Sequence, residues 1–81
     1  MTIDKSRSVP AYIQLKNILS EKIQNKELLP GQSVPSERDL AIEMNISRMT
    51  VRQAFKTLEA EGKLYREKGR GTFVSKPLFD I

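Results

Sequence analysis

The chain has 81 residues, 38% hydrophobic and 30% charged, and contains neither cysteine nor histidine. This describes one small domain with enough apolar residues for a core but too few residues to add a deep enzyme cleft, so no catalytic residue is expected. Without Cys or His, disulfides, thiolate zinc sites, Ser-His or Cys-His nucleophile pairs and imidazole switches are excluded, and neither a cofactor nor a metal is expected.

The net charge of +4 is one-sided. Residues 1–45 carry six basic and six acidic side chains, whereas residues 46–81 carry eight and four. Such asymmetry favours a polyanionic partner at one face, nucleic acid before a membrane, although a solvated surface would also give this charge. No apolar run approaches the roughly 20 residues that span a bilayer, and MTIDKSRSVP lacks the apolar core of a signal peptide. A cytoplasmic location is expected.

Pro10 predicts the start of a first helix, since its missing N–H would be unpaired there anyway. Tyr12, Leu15, Leu19 and Ile23 follow at spacings of three and four with Ile18 beside them, and Lys16, Asn17, Glu21 and Gln24 fill the other side. Asn25 and Leu28-Leu29-Pro30-Gly31 end this helix of about four turns. Ser33-Val34-Pro35 is long enough only for a single bridging strand.

Ser36 reads as the N-cap of a second helix, with Asp39 in the capping-box position and Glu37 adding negative charge to the first turn. Leu40, Ala41 and Met44 give this helix its apolar face. Asn45 suits a left-handed closing residue, Ile46 returns to the core, and Ser47 caps a third helix. Two helices joined by about three residues have the spacing of a helix-turn-helix.

At 100° per residue, Val51, Ala54, Phe55 and Leu58 share one arc of the third helix, the core side. Arg48 and Arg52 lie at one edge of the remaining surface, Met49, Gln53 and Lys56 in its middle, and Thr50 toward the other edge. Gly62 stops the helix. KLYREKGRGTFVSK then predicts two strands, Leu64–Lys68 and Thr72–Ser75, around Gly69-Arg70-Gly71, with Pro77 ending the pairing. The resulting order is helix, short strand, helix, turn, helix, hairpin: a mainly α winged helix-turn-helix over residues 9–76, preceded by an arm at 1–8 and followed at 77–81 by the start of a linker.

In a helix-turn-helix, the second helix of the pair presents its first turns to base edges in the major groove. Arginine matches the O6 and N7 acceptors of guanine, so Arg48 and Arg52 are candidates for base readout. No acid follows Ser47 before Glu59, which argues against a merely solvated helix. Ser47 and Thr50, with Ser36 and Gln53 beside them, suit phosphate oxygens. The hairpin is either a soluble turn or a wing, in which Lys68, Gly69, Arg70 and Gly71 reach the minor groove or flanking phosphates. Arg38 either pairs with Glu37 or Asp39 or reaches DNA beside the third helix; spacing alone favours the ion pair, and makes Glu59 and Glu61 surface charges. The alternative function is a winged-helix protein-interaction module that docks its third helix on an acidic partner.

The segments PGQSVPSERDLA and ISRMTVRQAFKTLEAEGKLYREKGRGTFVSKP closely resemble the DNA-binding domain of the GntR family of bacterial transcription regulators, most similarly the HutC subfamily, over about Val9 to Pro77. The resemblance implies DNA contacts at Arg38, Ser47, Arg48, Thr50 and Arg52 and wing contacts at Lys68, Gly69 and Arg70, and so moves Arg38 from ion pair to base contact. It further implies a repressor that binds a palindromic operator as a homodimer, with a small-molecule effector held by a C-terminal domain absent from these residues. Departures are Asn45 where glycine is frequent, Phe55 where leucine is usual, and Lys63 where an apolar residue is common.

Overall fold

The amphipathic pattern that starts at Pro10 becomes helix α1, Ala11–Gln24, in the computed structural model, which describes residues 2–76. Pro10 is the N-cap and not the first helical residue: its backbone is extended, and its carbonyl accepts from the Ile13 and Gln14 N–H groups at 3.1 Å. The helix buries Leu15, Ile18 and Leu19, with Tyr12 and Ile23 packed at the margin of the core.

Helix α2, Glu37–Met44, begins at Ser36, whose Oγ accepts from the Asp39 N–H at 3.0 Å. Only this half of the capping box forms among the described residues. Asn45 closes the helix in the left-handed region at φ 56°, ψ 50°, a conformation asparagine tolerates better than most side chains do. Helix α3, Arg48–Ala60, follows directly and buries Val51, Ala54, Phe55 and Leu58. It packs against both α1 and α2, so its inward arc is the centre of the core and its outward arc is left to solvent.

Strands β1, Leu64–Glu67, and β2, Gly71–Val74, form an antiparallel hairpin in the register Leu64↔Val74 to Glu67↔Gly71. Both strands thus stop or start one residue earlier than the sequence suggested, because Gly71 pairs with Glu67 and only Lys68-Gly69-Arg70 remain as the turn. Pairing continues past β2 through the Ser75 N–H to the Lys63 carbonyl at 3.0 Å. Leu64, Thr72 and Val74 face inward, while Tyr65 and Phe73 stack on the outer face with ring centroids 5.5 Å apart. The expected bridging strand is present: Ser33 bridges to Phe73, and the Val34 N–H donates to the Thr72 carbonyl at 2.9 Å. This seam ties the wing to the start of α2.

The order expected for a winged helix is therefore the observed one. Two features were not anticipated. Ile3 is buried in the core, and the buried Gln14 holds the segment before α1: its Nε2 donates to the Asp4 and Val9 carbonyls at 2.8 Å, and its Oε1 accepts from the Asp4 N–H at 2.9 Å. Pro77 and the linker expected over 77–81 lie outside the described residues, as does Met1.

Candidate nucleic-acid interface

The start of α3 is set by Ser47, whose extended backbone turns the chain and whose Oγ accepts from the Thr50 N–H at 3.1 Å. The Ser47 and Thr50 hydroxyls also lie 2.8 Å apart. One hydroxyl hydrogen is consumed between them, so the pair retains a single O–H to offer an external acceptor. No acidic residue occupies the first turn of α3. The positive end of its dipole and the exposed Arg48 are therefore uncompensated from within the helix, an arrangement that attracts anions.

The second arginine is different. Arg52 Nη2 lies 3.1 Å from Glu37 Oε1, and its Nε reaches the same carboxylate at 3.3 and 3.4 Å. Arg66 from β1 joins the other side, Nη2 to Glu37 Oε2 at 3.3 Å, and also stands 3.8 Å from Glu59 Oε2. That last separation is an ion pair without a hydrogen bond, which leaves the buried Glu59 Oε2 without a hydrogen-bond partner among the described residues. The reading of Arg52 as a charge without an acid partner is thus corrected: the acid comes from α2, across the helix-turn-helix, where a search within α3 could not find it.

The Glu37 side chain is 14% exposed, against 43% for Arg52 and 45% for Arg66. Its hydrogen bond from Arg52 holds the carboxyl below the ordinary value of 4.5 against the opposing effect of burial, with the Arg52, Arg66 and Arg48 charges adding to the same shift. A guanidinium has five N–H donors. Glu37 occupies one edge of Arg52, Nε and Nη2, and leaves the Nη1 end for another acceptor. Arg52 is consequently oriented, not quenched.

The wing tip needs glycine. Gly69 has φ 78° and Gly71 φ 121°, and the Arg70 N–H donates to the Glu67 carbonyl at 2.9 Å to close the turn. Arg70 pairs with Glu67 at 3.1 Å but its side chain is 73% exposed; such surface pairs are worth ~0–1 kcal/mol and exchange readily for another anion. Lys68 is exposed beside it.

An open cleft of about 600 Å³ separates the start of α3 from the wing, and its walls include Ser36, Arg48, Lys68, Gly69, Arg70 and Gly71. A second, smaller depression of about 260 Å³ on α3 is lined by Met49, Thr50, Arg52, Gln53 and Lys56. Most of the expected contact residues therefore fall on two concave surfaces that share α3. Ser47 adjoins the second through Thr50. Arg38 lies outside both; it is exposed and makes no ion pair among the described residues, so the pairing that its spacing suggested does not form. Glu37 is already engaged by Arg52 and Arg66.

Sequence reasoning missed Glu37 and Arg66 as parts of this site. Their partners lie 15 and 29 residues apart along the chain, beyond any helical spacing rule. Glu61, expected to be an ordinary surface charge, ties α3 to α1 through Lys16 at 2.9 Å and also meets Lys63 at 3.4 Å. Lys63, the departure at the start of the hairpin, is held there by this acid.

A family model described as "Bacterial regulatory proteins, gntR family" matches residues 11–74. Among curated proteins, the HTH-type transcriptional repressor NagR of Bacillus subtilis (strain 168) is 54% identical over 77 residues, 95% of this chain and 32% of its own. The histidine utilization repressor of Klebsiella aerogenes is 40% identical over 79 residues, 95% of this chain and 33% of its own. The chain thus spans about a third of the length of these relatives. Among solved structures, AraR(DBD) in complex with operator ORX1 superposes with a TM-score of 0.88 at 33% identity, covering 93% of this chain and 95% of that one. YtrA from Sulfolobus acidocaldarius, described as a GntR-family transcription factor, gives 0.88 at 33% identity over 94% and 80% of the two chains.

Proposed function

The chain belongs to the gntR family of bacterial regulatory proteins, and on that premise we propose that it binds double-stranded DNA sequence-specifically, as the DNA-reading part of a cytoplasmic repressor. Helix α3 enters the major groove and the wing lies against the minor groove or its flanking phosphates. Arg48 and the free end of Arg52 read guanines, with Arg38 beside them; Ser36, Ser47, Thr50 and Gln53 hold phosphates; and Lys68, Gly69, Arg70 and Gly71 form the wing contact. The observation that carries this reading is the shared cleft, which sets Arg48 of α3 opposite Lys68 and Arg70 of the wing.

Relatives named as repressors, and a solved neighbour bound to its operator, support the same reading. We further assign the full regulator a two-fold arrangement on a palindromic operator, with dimerisation and a small-molecule effector handled by sequence of the kind its longer relatives carry outside the matched third. A titration with fluorescently labelled duplex at increasing salt tests the central assignment. The logarithm of affinity should fall linearly with the logarithm of salt concentration, with a slope of about −0.9 per phosphate neutralised. A flat salt response, or no binding to duplex, would defeat it.

A further inference from the structure

Met49 is the one large apolar side chain on an otherwise polar and cationic arc. On a helix of 100° per residue it stands opposite the middle of the core set Val51, Ala54, Phe55 and Leu58, so of all the positions in the first turn it points most directly away from the protein. It is 66% exposed, it lines the depression on α3 together with Thr50, Arg52, Gln53 and Lys56, and its Sδ lies 3.6 Å from Arg52 Nη1. Thioether sulfur is a weak acceptor, yet the contact sets Met49 beside the end of Arg52 that Glu37 leaves free. In the major groove the apolar feature on a base edge is the C5-methyl group of thymine, and apolar side chains contact it. Methionine, unbranched and polarisable, adapts its shape to such a protruding group.

We propose that Met49 recognises the C5-methyl of a thymine next to the base pair read by Arg52, making it a specificity-determining residue of the interface; the inference rests on the DNA-binding reading above. Burying one additional carbon against Met49 corresponds to about a three- to fivefold change in affinity. Met49 therefore tunes base preference while the arginines dominate affinity. Its exposure in the free protein means that replacing it leaves the core intact.

The test uses the 81-residue chain and a duplex enriched by it from a random pool. Thymines of the enriched site are replaced one at a time by deoxyuridine, which removes only the methyl group and keeps every hydrogen bond. Wild type should lose about three- to fivefold in affinity at one thymine per half-site, and Met49→Ala should bind the thymine and deoxyuridine duplexes equally. Indifference of the wild type to every such replacement would overturn the inference, and so would an equal loss in Met49→Ala. If no duplex enriches at all, the DNA-binding reading fails first and the inference falls with it, a result distinct from normal enrichment without methyl sensitivity.

Discussion

At the scale of the residue, the proposed interface turns on which arginine is free. Arg48 faces the cleft and makes no ion pair among the described residues, whereas Arg52 is held on one edge by Glu37. A sequence can reveal that both arginines lie on the exposed side of α3, since that follows from helical periodicity. It cannot reveal the orientation of Arg52, since the acid that sets it belongs to another helix. This clamp has a pH signature. The folded pKa of Glu37 is depressed, so the stabilisation it brings is present above its unfolded value near 4.5 and is lost as pH falls through the lower, folded value. Thermal unfolding of wild type and Glu37→Gln should therefore differ most above about pH 4.5, by on the order of 1 kcal/mol or less given the half-exposed partners, and the gap should close on further acidification. Taking the difference between the two proteins removes the parallel titrations of Asp4 and Glu61, whose carboxyls are also held low, by Ser6 and Lys16 respectively. A gap that stays constant down to pH 3 would show that Glu37 acts through packing alone.

At the scale of the element, local chemistry was legible almost to the residue. Ser36 and Ser47 begin their helices as N-caps, and Asn45 takes the left-handed turn between them. These features could be read in advance because caps and turns depend on a few neighbouring residues. The hairpin was legible in kind but shifted by one position at each strand, since nothing in KGRG by itself decides whether Gly71 belongs to the turn or to the ladder. Its backbone does demand glycine. A Cβ on Gly69 would meet no atom within 4 Å, so Gly69→Ala suffers only from the positive φ of 78°. That substitution should destabilise the fold by about 1–2 kcal/mol, measured as a lowered denaturation midpoint with an unchanged slope. An unchanged midpoint would mean that the turn relaxes to another conformation without cost.

At the scale of the whole molecule, one core supports both concave surfaces. Phe55 is 1% exposed and sits in α3 between the other two helices and the hairpin. Phe55→Ala should cost about 3–5 kcal/mol, close to the whole stability expected of so small a domain, and circular dichroism should show it largely unfolded. Phe55→Leu, which keeps a large apolar side chain in the same place, should cost clearly less, because most of the buried volume stays filled. The core that α3 anchors was predictable from periodicity. Ile3 and Gln14 were not, because Ile3 stands in no repeating pattern and a buried glutamine is revealed only by the three hydrogen bonds that satisfy it.

Whether α3 reads bases while the wing holds the backbone is decided by comparing Arg48→Ala and Lys68→Ala on an enriched duplex and on a scrambled one. Arg48→Ala should lose about 1–3 kcal/mol on the enriched site and much less on the scrambled duplex, whereas Lys68→Ala should weaken both alike. Equal losses on the two duplexes for Arg48→Ala would contradict base reading by α3.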